Sequence, residues 1–381
     1  MNDRIVKDFT NPSSEFRGAP FWAWNGKLEP EELRWQIQIM NKMGLGGFFM
    51  HSRVGLDTAY LSDEWFDCIK ACIDEAGKLD MQAWLYDEDR WPSGAAGGLV
   101  TSDPKYRERR LVIEEISDLT GLDKSVEAAA LYLAEVDGDD VKNLRRIEQL
   151  PTELAKGDTL LRFSLRLGEC SPWYNGGTYL DTLNKDAVKK FIEVTHEAYR
   201  REVSEHFSGI VPGIFTDEPN YNRVFNECPE GTYTVWTDSL QEEFMKRYGY
   251  DIMDHLPELL YNVQGTDCRT RFYYLDLITT MFVDAFARQI GEWCDANNLL
   301  HTGHLLCEDD LGSQTLCVGS AMRFYEYMQA PGMDLLTEHW RVYDTAKQVS
   351  SVAHQFDRKW RLTETYGCTG WDFPFLGHKA L

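Results

Sequence analysis

Short apolar runs alternate along the chain with stretches of helical periodicity. Seven such runs are predicted to form strands, at 19–24, 47–51, 81–86, 211–216, 299–306, 333–337 and 359–363. Amphipathic stretches between them predict helices beginning after Pro30, over 62–77, over 186–207, within 237–248 and within 270–296. This alternation is typical of βα units around a parallel sheet. We therefore predict an α/β fold, a (β/α)8 TIM barrel whose eighth unit is either degenerate or missing from this chain.

The pattern changes between residues 105 and 180. Apolar and polar residues alternate there, and Asp-Gly and Gly-Asp pairs are typical of turns between antiparallel strands. We predict a small antiparallel β insertion after the third barrel strand. The predicted domains are a catalytic barrel formed by 1–104 and 181–381, and a β-rich insertion formed by 105–180.

The residues that follow the predicted strands are mostly acidic. Catalytic groups of a TIM barrel sit at the C-terminal ends of its strands, so these positions are informative. Neighbouring carboxylates raise each other's pKa, which keeps one protonated at neutral pH while another stays ionised. Glycoside hydrolysis requires such a pair. The candidate catalytic residues, on the fourth, sixth and seventh strands, are Glu218, Glu338 and Glu364.

Aromatic and polar residues accompany these acids. Tryptophan and tyrosine rings offer flat apolar faces to a sugar ring, while asparagine, aspartate and histidine hydrogen-bond its hydroxyls. The candidate substrate-binding residues are Trp24, Asn25, His51, Asp87, Glu88, Trp91, Asp217, His304, His339, Trp340, Tyr366 and Trp371.

Structural roles compete with these functional ones. Glu218 precedes Pro219 and could simply end a strand. The acids 87–89 could form a solvated loop, and the acids 308–310 could be favourable charges at a helix N-terminus. His51, His304 and His339, which lie at the ends of predicted strands, could be structural residues whose hydrogen bonds are satisfied.

Composition and charge narrow the classes of partner. The 381 residues carry 39 Lys and Arg against 62 Asp and Glu, a net charge of −23. A field of that sign repels phosphate, so we expect neither nucleic acid nor an anionic membrane surface as a partner. The 12 tryptophans exceed what a core needs, which agrees with a carbohydrate partner. The N-terminal sequence lacks the apolar segment of a secretory signal, so we predict a cytoplasmic protein.

Several motifs together resemble a known family. PFWAWNG, LGGFFMHSRVG, LYDEDRWPSGAAGG, GIFTDEPN, HTGHLL and TETYG are similar to the successive barrel motifs of large bacterial glycoside hydrolases of the α-L-rhamnosidase type, family 106. The most specific parts are YDE-x-x-WPSG-x-AGG and FTDEP, and the similarity extends from about Pro20 to Trp371.

The resemblance implies a TIM barrel followed by β-rich domains, so C-terminal domains of a longer chain are expected partners. It also implies an inverting mechanism with glutamates as acid and base, and a calcium ion near the sugar. Glu218, Glu338 and Glu364 match the family's acidic strand-end positions. Members of the family are longer than this chain, and from its N-terminal sequence we expect no signal peptide of the kind they carry.

The leading hypothesis is hydrolysis of a glycosidic bond, with Glu218 as proton donor and Glu338 or Glu364 as base. Carboxylates on the fourth and seventh strands usually belong to retaining enzymes, whereas the resemblance implies inversion, and their separation decides between the two. One alternative is a metal-dependent sugar isomerase, with His51, Asp217, His304 and Glu338 as ligands. Another is a carbohydrate-binding barrel without catalysis.

Overall fold

Two seven-stranded sheets organise the chain in the computed structural model, which describes residues 3–336 and 343–368. The strands are β1 (Phe21–Trp24), β2 (Gly47–Ser52), β3 (Gln82–Tyr86), β4 (Arg109–Ile116), β5 (Ala130–Asp137), β6 (Asp140–Ile147), β7 (Thr159–Leu167), β8 (Gly213–Asp217), β9 (Asn226–Cys228), β10 (Gly231–Trp236), β11 (Asn262–Val263), β12 (Leu300–His304), β13 (Ala330–Leu336) and β14 (Leu362–Gly367). The α-helices are α1 (Asp3–Thr10), α2 (Pro30–Lys42), α3 (Asp63–Lys78), α4 (Lys185–Val194), α5 (His196–Val203), α6 (Leu240–Tyr248), α7 (Arg269–Phe282), α8 (Arg288–Ala296), α9 (Leu311–Cys317), α10 (Ala321–Tyr325) and α11 (Tyr343–Gln355). A π-helical turn, Val283–Ala287, joins α7 to α8.

One sheet is entirely parallel and contains a strand for each of the seven apolar runs. Its strand order is β1-β2-β3-β8-β12-β13-β14. The second sheet is mixed, with the order β11-β6-β5-β7-β4-β10-β9. In this mixed sheet β11 runs parallel to β6, and the other neighbouring strands are antiparallel.

The predicted (β/α)8 TIM barrel is wrong. The parallel sheet has seven strands, and within the described residues its end strands β1 and β14 do not pair with each other. The second sheet is also larger than the predicted insertion, because β9, β10 and β11 come from residues after β8. Hydrophobic periodicity reports whether a segment is strand or helix, but not whether the first strand pairs with the last. The domain boundaries stay a prediction.

Burial on both faces explains why the parallel strands have continuous apolar sequences. All six residues of β2 are buried. Phe48 packs into the large hydrophobic core, whereas Phe49 belongs to a second cluster with Phe215, at 5.5 Å between ring centroids. The large core also includes Tyr132 and Phe163 of the mixed sheet, so the two sheets share one core.

Local signals explain where several helices begin and end. Pro30 opens α2, where its fixed φ suits the first turn. Ser62 caps α3 as predicted, since its hydroxyl accepts the N–H of Trp65 at 3.2 Å. The helix predicted over 186–207 is two helices, with Thr195 between α4 and α5 donating its hydroxyl to the carbonyl of Phe191. None of the helices within residues 3–336 and 343–368 is long and apolar enough to span a bilayer.

The register of the parallel strands brings polar side chains together near their C-terminal ends. His304 of β12 pairs with Asp217 of β8, and Asp334 of β13 pairs with Glu364 of β14. The residue before His304 must be glycine, because Gly303 has a φ of +135° and a Cβ there would lie 1.9 Å from the carbonyl oxygen of Thr216. One edge of the sheet therefore carries acids around a histidine.

Candidate active site

A cavity of about 340 Å³ opens at this edge of the parallel sheet. That volume is in the range of small-molecule sites. It is lined by Phe21, Ala23, His51, Arg53, Trp91, Asp217, Glu218, His304, Asp334, Leu336, Glu364, Gly367 and Cys368. Its four carboxyl side chains, which we name the acid cluster, are Asp217, Glu218, Asp334 and Glu364. A larger cleft of about 520 Å³ beside α6 and α7 is lined by acids and bases together, without a histidine.

His304 lies among the side chains of the acid cluster. Its Nε2 is 2.8 Å from Oε2 of Glu364 and 3.7 Å from Oδ1 of Asp217. Burial by itself would lower the pKa of His304, but the hydrogen bond to Glu364 and the charges of Asp217 and Asp334 outweigh it and raise the pKa well above its usual value. An imidazolium therefore donates to Glu364 at neutral pH.

Burial raises the pKa of two members of the acid cluster to neutral pH or above. Burial, with a further contribution from the charge of Asp217, raises the pKa of Glu218 to about 8, although His304 opposes the shift. Burial likewise raises the pKa of Asp334 to about 7. The buried Oδ1 of Asp334 has no hydrogen-bond partner among the described residues. Glu218 is thus the member of the cluster best suited to carry a proton at neutral pH.

The backbone at Glu218 is strained. Its φ of +44° lies in the left-handed region, which side chains other than glycine rarely adopt. Asp217 before it is buried, and its Oδ2 accepts the phenol of Tyr86 at 2.6 Å. Strained residues persist where their surroundings hold them, and they cluster at functional sites.

Part of the cavity wall is aromatic and basic. The guanidinium carbon of Arg53 lies 4.2 Å from the centroid of the Trp91 ring, a cation–π arrangement. Trp173 supports Trp91 from the segment before α4, with ring centroids 4.6 Å apart and its indole N–H donating to the Trp91 carbonyl at 2.7 Å. His51 also lines the cavity, and burial, with a smaller effect of Arg53, lowers its pKa to about 3. His51 is therefore neutral at physiological pH.

The acids that follow β3 lie behind the cavity, outside its lining. Glu88 is 1% exposed, and its carboxylate accepts four backbone N–H groups, from residues 89, 94, 96 and 97, at 2.5–2.9 Å. Burial raises the pKa of Glu88 to about 7, and these hydrogen bonds oppose the shift. Asp87 is fully buried, where it accepts the hydroxyls of Ser93 and Thr216 at 2.6 Å each. Both acids shape the glycine-rich loop 88–98.

The remaining predicted site residues divide into two groups. Trp24 is buried in the core against Trp22 and Trp65, while Asn25 and Tyr366 are exposed and are not among the cavity-lining residues. Four predicted residues lie outside the described residues, namely Glu338, His339, Trp340 and Trp371.

Two charged cavity residues, Asp334 and Arg53, were absent from the sequence-based candidates. Asp334 sits inside the sixth apolar run, and a charge within an otherwise buried strand is the signal that could have identified it. Arg53 directly follows His51 and Ser52 at the end of the second strand, so its position was also informative. The sequence-based candidates were mainly acids, histidines and aromatic residues that follow strands, so a strand-end arginine and an acid within a strand were missed.

The acid cluster also offers ligands for a cation. Asp217, His304 and Glu364 place one ligand atom each within 4.8 Å of one another, and so do Glu218, His304 and Asp334. Calcium prefers carboxylate and carbonyl oxygens, so the carboxylates fit that ion better than the imidazole does. The unpartnered Oδ1 of Asp334 is an oxygen suited to this purpose.

Comparisons relate the chain to known proteins. The family model of glycoside hydrolase family 106, described as alpha-L-rhamnosidase, matches residues 169–374. The structure of a rhamnosidase from Novosphingobium sp. PP1Y matches 94% of this chain with a TM-score of 0.61 at 14% sequence identity. No curated protein matches significantly.

Because the family model covers more than half of the sequence, the chain belongs to the α-L-rhamnosidase family, glycoside hydrolase family 106. The resemblance inferred from the motifs is thereby confirmed. At 14% identity the structural match shows similarity of fold alone, and this chain spans 53% of the Novosphingobium chain, about half its length.

Proposed function

We propose that this protein hydrolyses the glycosidic bond of a terminal α-L-rhamnosyl or similar sugar residue. The observation that carries the proposal is the acid cluster around His304, in which Glu218, whose pKa burial raises, shares one cavity with Glu364, which is hydrogen-bonded to His304. Glycoside hydrolysis needs one carboxylic acid to protonate the leaving oxygen and one carboxylate to assist the attack at the sugar carbon. Family membership supports the same reaction class.

Glu218 is proposed as the proton donor. A general acid must carry its proton at the working pH, and burial raises the pKa of Glu218 to about 8. The side chain is half-buried and lines the cavity, so it remains accessible to a substrate. Its environment therefore suits donation to a leaving oxygen near neutral pH.

Glu364 is proposed as the partner carboxylate. Its side chain lines the cavity, and its Oε2 accepts a charge-assisted hydrogen bond from the imidazolium of His304 at 2.8 Å. Glu338, the other candidate base, lies outside the described residues. Substitution of each glutamate in turn distinguishes the two.

The family resemblance implies a calcium ion, and the acid cluster fits one. Asp217 or Asp334, the members of the acid cluster without a proposed catalytic role, would hold it through a carboxylate. Such an ion would neutralise part of the clustered negative charge and bind sugar hydroxyls. Activity after chelation and after calcium is restored tests this part of the proposal by itself.

The decisive experiment is a panel of aryl glycosides assayed with the wild type, Glu218→Gln and Glu227→Gln. We expect hydrolysis of an α-L-rhamnoside by the wild type and a loss of about 10²- to 10⁴-fold in Glu218→Gln. Glu227 is exposed on β9 outside the cavity, so Glu227→Gln should keep wild-type rates. Undiminished turnover by Glu218→Gln would remove Glu218 from the mechanism. Sugar binding without turnover by the wild type would instead favour a carbohydrate-binding protein.

A further inference from the structure

Ser93 links the loop after β3 to the end of β8. The residue is fully buried, although it lies in the loop beside the cavity-lining Trp91. Its backbone N–H donates to the carbonyl of Asp217 at 2.8 Å, and its hydroxyl oxygen accepts the backbone N–H of Asp217, also at 2.8 Å. One serine therefore binds both backbone polar groups of the residue before Glu218.

The hydroxyl of Ser93 is itself oriented by Asp87. It donates to Oδ1 of Asp87 at 2.6 Å, which leaves its lone pairs free to accept the Asp217 N–H. The other oxygen of Asp87 accepts the hydroxyl of Thr216 at 2.6 Å. The phenol of Tyr179 donates to the Ser93 carbonyl at 2.7 Å, so every polar group of the serine has a partner.

These bonds determine the direction in which Glu218 leaves the backbone. The carbonyl of Asp217 and the nitrogen of Glu218 belong to one peptide plane, and Ser93 holds that plane through its N–H. Its hydroxyl holds the preceding plane through the N–H of Asp217. Glu218 follows with a φ of +44°, a conformation that is unfavourable for side chains other than glycine and persists only where neighbours impose it.

We propose that Ser93, oriented by Asp87, is a positioning residue that fixes the backbone of Asp217 and thereby aims the carboxyl group of Glu218 at the leaving oxygen. This inference rests on the proposed role of Glu218 as proton donor. It assigns a task to Asp87, a buried acid that does not line the cavity. It also explains why the WPSG loop and the TDEP motif, which are far apart in the sequence, act as one unit.

The test compares Ser93→Ala and Ser93→Cys with the control Ser164→Ala. Alanine removes the hydroxyl, and cysteine fills the same space with a weak donor and acceptor. Ser164 is a buried serine of β7 whose hydroxyl has no partner among the described residues, so its loss should change neither kinetics nor backbone order. Circular dichroism and thermal melting identify which variants fold, and Ser93→Cys replaces Ser93→Ala if the latter does not.

Kinetics provide the first readout. We expect kcat to fall about 10- to 100-fold with KM changed less than about threefold, since small displacements of a catalytic group have effects of this size. A misplaced proton donor matters most when the leaving group is basic. The loss should therefore be larger for an alkyl or disaccharide rhamnoside than for a dinitrophenyl rhamnoside. An equal loss for all leaving groups, or an unchanged kcat in a folded variant, would overturn the proposal.

Hydrogen exchange provides a readout that does not depend on activity. Peptides covering 213–222 should exchange faster in the Ser93 variants than in the wild type and in Ser164→Ala, because the Asp217 N–H loses its acceptor. Unchanged exchange would overturn the proposed backbone restraint even if no substrate were hydrolysed. If the Ser93 variants exchange faster but the wild type hydrolyses no glycoside, the proposed function is contradicted and the proposed backbone restraint still holds.

Discussion

Two segments of this protein look alike in sequence and differ in the folded state. Asp87-Glu88 follows β3, and Asp217-Glu218 stands at the end of β8, so each places an Asp-Glu pair at the C-terminal end of a parallel strand. In the first pair both carboxyl groups are buried and accept hydrogen bonds from a loop. In the second pair both line the cavity beside His304. The hydrogen-bond partners of a carboxyl group, rather than its position after a strand, decide whether it shapes a loop or lines the cavity.

The largest expected effect that tests this contrast is on stability. Glu88→Ala leaves four buried or half-buried backbone N–H groups without their acceptor, and we expect a loss of about 3 kcal/mol or more in the free energy of unfolding. Glu218→Gln should keep or slightly raise that free energy, since a neutral amide avoids the cost of burying an ionisable carboxyl group whose pKa is raised. Urea unfolding followed by fluorescence measures both.

Glu88→Gln serves as the matched control for Glu88→Ala. Its amide oxygen can keep two of the four acceptor bonds, so we expect an intermediate loss of stability. Equal stabilities of Glu88→Ala and Glu218→Gln would abolish the distinction between the two acid pairs.

A second, smaller effect concerns His304. Replacement by Gln removes a cation that lowers the pKa of both Glu218 and Asp334, so the pKa of each should rise further. We expect kcat/KM to fall about 10- to 100-fold and its alkaline limb to move to higher pH. The pH profile of kcat/KM checks the direction, and His354→Gln, on the exposed face of α11, should leave the profile unchanged. A limb that moves to lower pH would contradict the assigned charge of His304.

A third expected effect is a loss of stability with rising pH. Burial raises the pKa of Glu218 to about 8 and those of Glu88, Asp181 and Glu308 to about 7. A group whose pKa is higher in the folded state stabilises fully below its unfolded pKa, and this contribution is lost as the pH rises through the folded value. The melting temperature should therefore fall between roughly pH 6.5 and pH 8, above the range in which His51, His196 and His301, whose pKa burial lowers to about 3, have the opposite effect. Glu218→Gln should make the melting temperature depend less steeply on pH. A melting temperature that rises across this window would contradict the raised pKa values.

The smallest expected effect concerns the support of Trp91. Trp173→Phe keeps an aromatic ring but loses the hydrogen bond to the Trp91 carbonyl, which is worth about 0.5–1.5 kcal/mol. We expect KM for an aryl rhamnoside to rise about 2- to 10-fold with little change in kcat. The exposed Trp35 provides the control, as Trp35→Phe should leave both constants unchanged. A fall in kcat with constant KM would show that Trp173 acts on the reaction instead.

Sequence reasoning identified much of the polar lining of the cavity because burial patterns and strand ends are local properties. The apolar runs marked all seven parallel strands, and reading the residues after them identified His51, Trp91, Glu218, His304 and Glu364, which line the cavity. It failed where the neighbours come from distant segments. Trp24 follows the same rule as Trp91, yet its ring packs against Trp65 in the core.

The pattern of apolar and polar residues could not show whether the parallel strands close into a barrel. Periodicity predicts strands and helices one segment at a time, whereas closure depends on pairing between the first and last strands. The mixed sheet shows the same limit, because β10 pairs with β4 across more than a hundred residues of sequence. Neither pairing leaves a signal in the local alternation of apolar and polar residues.

The sequence by itself determined the parallel strands, the acidic strand ends and the family, because each depends on residues that are close together along the chain. Only the tertiary structure decided which acids lie together in one cavity. The register of β8 with β12 and of β13 with β14 brings the acid cluster to His304, and burial there raises the pKa of Glu218. The same structure buries Asp87 and Glu88 among hydrogen-bond donors. Burial and strand pairing are properties of the packed chain. They decide whether a carboxyl group keeps its proton, accepts hydrogen bonds from a loop or lines a cavity.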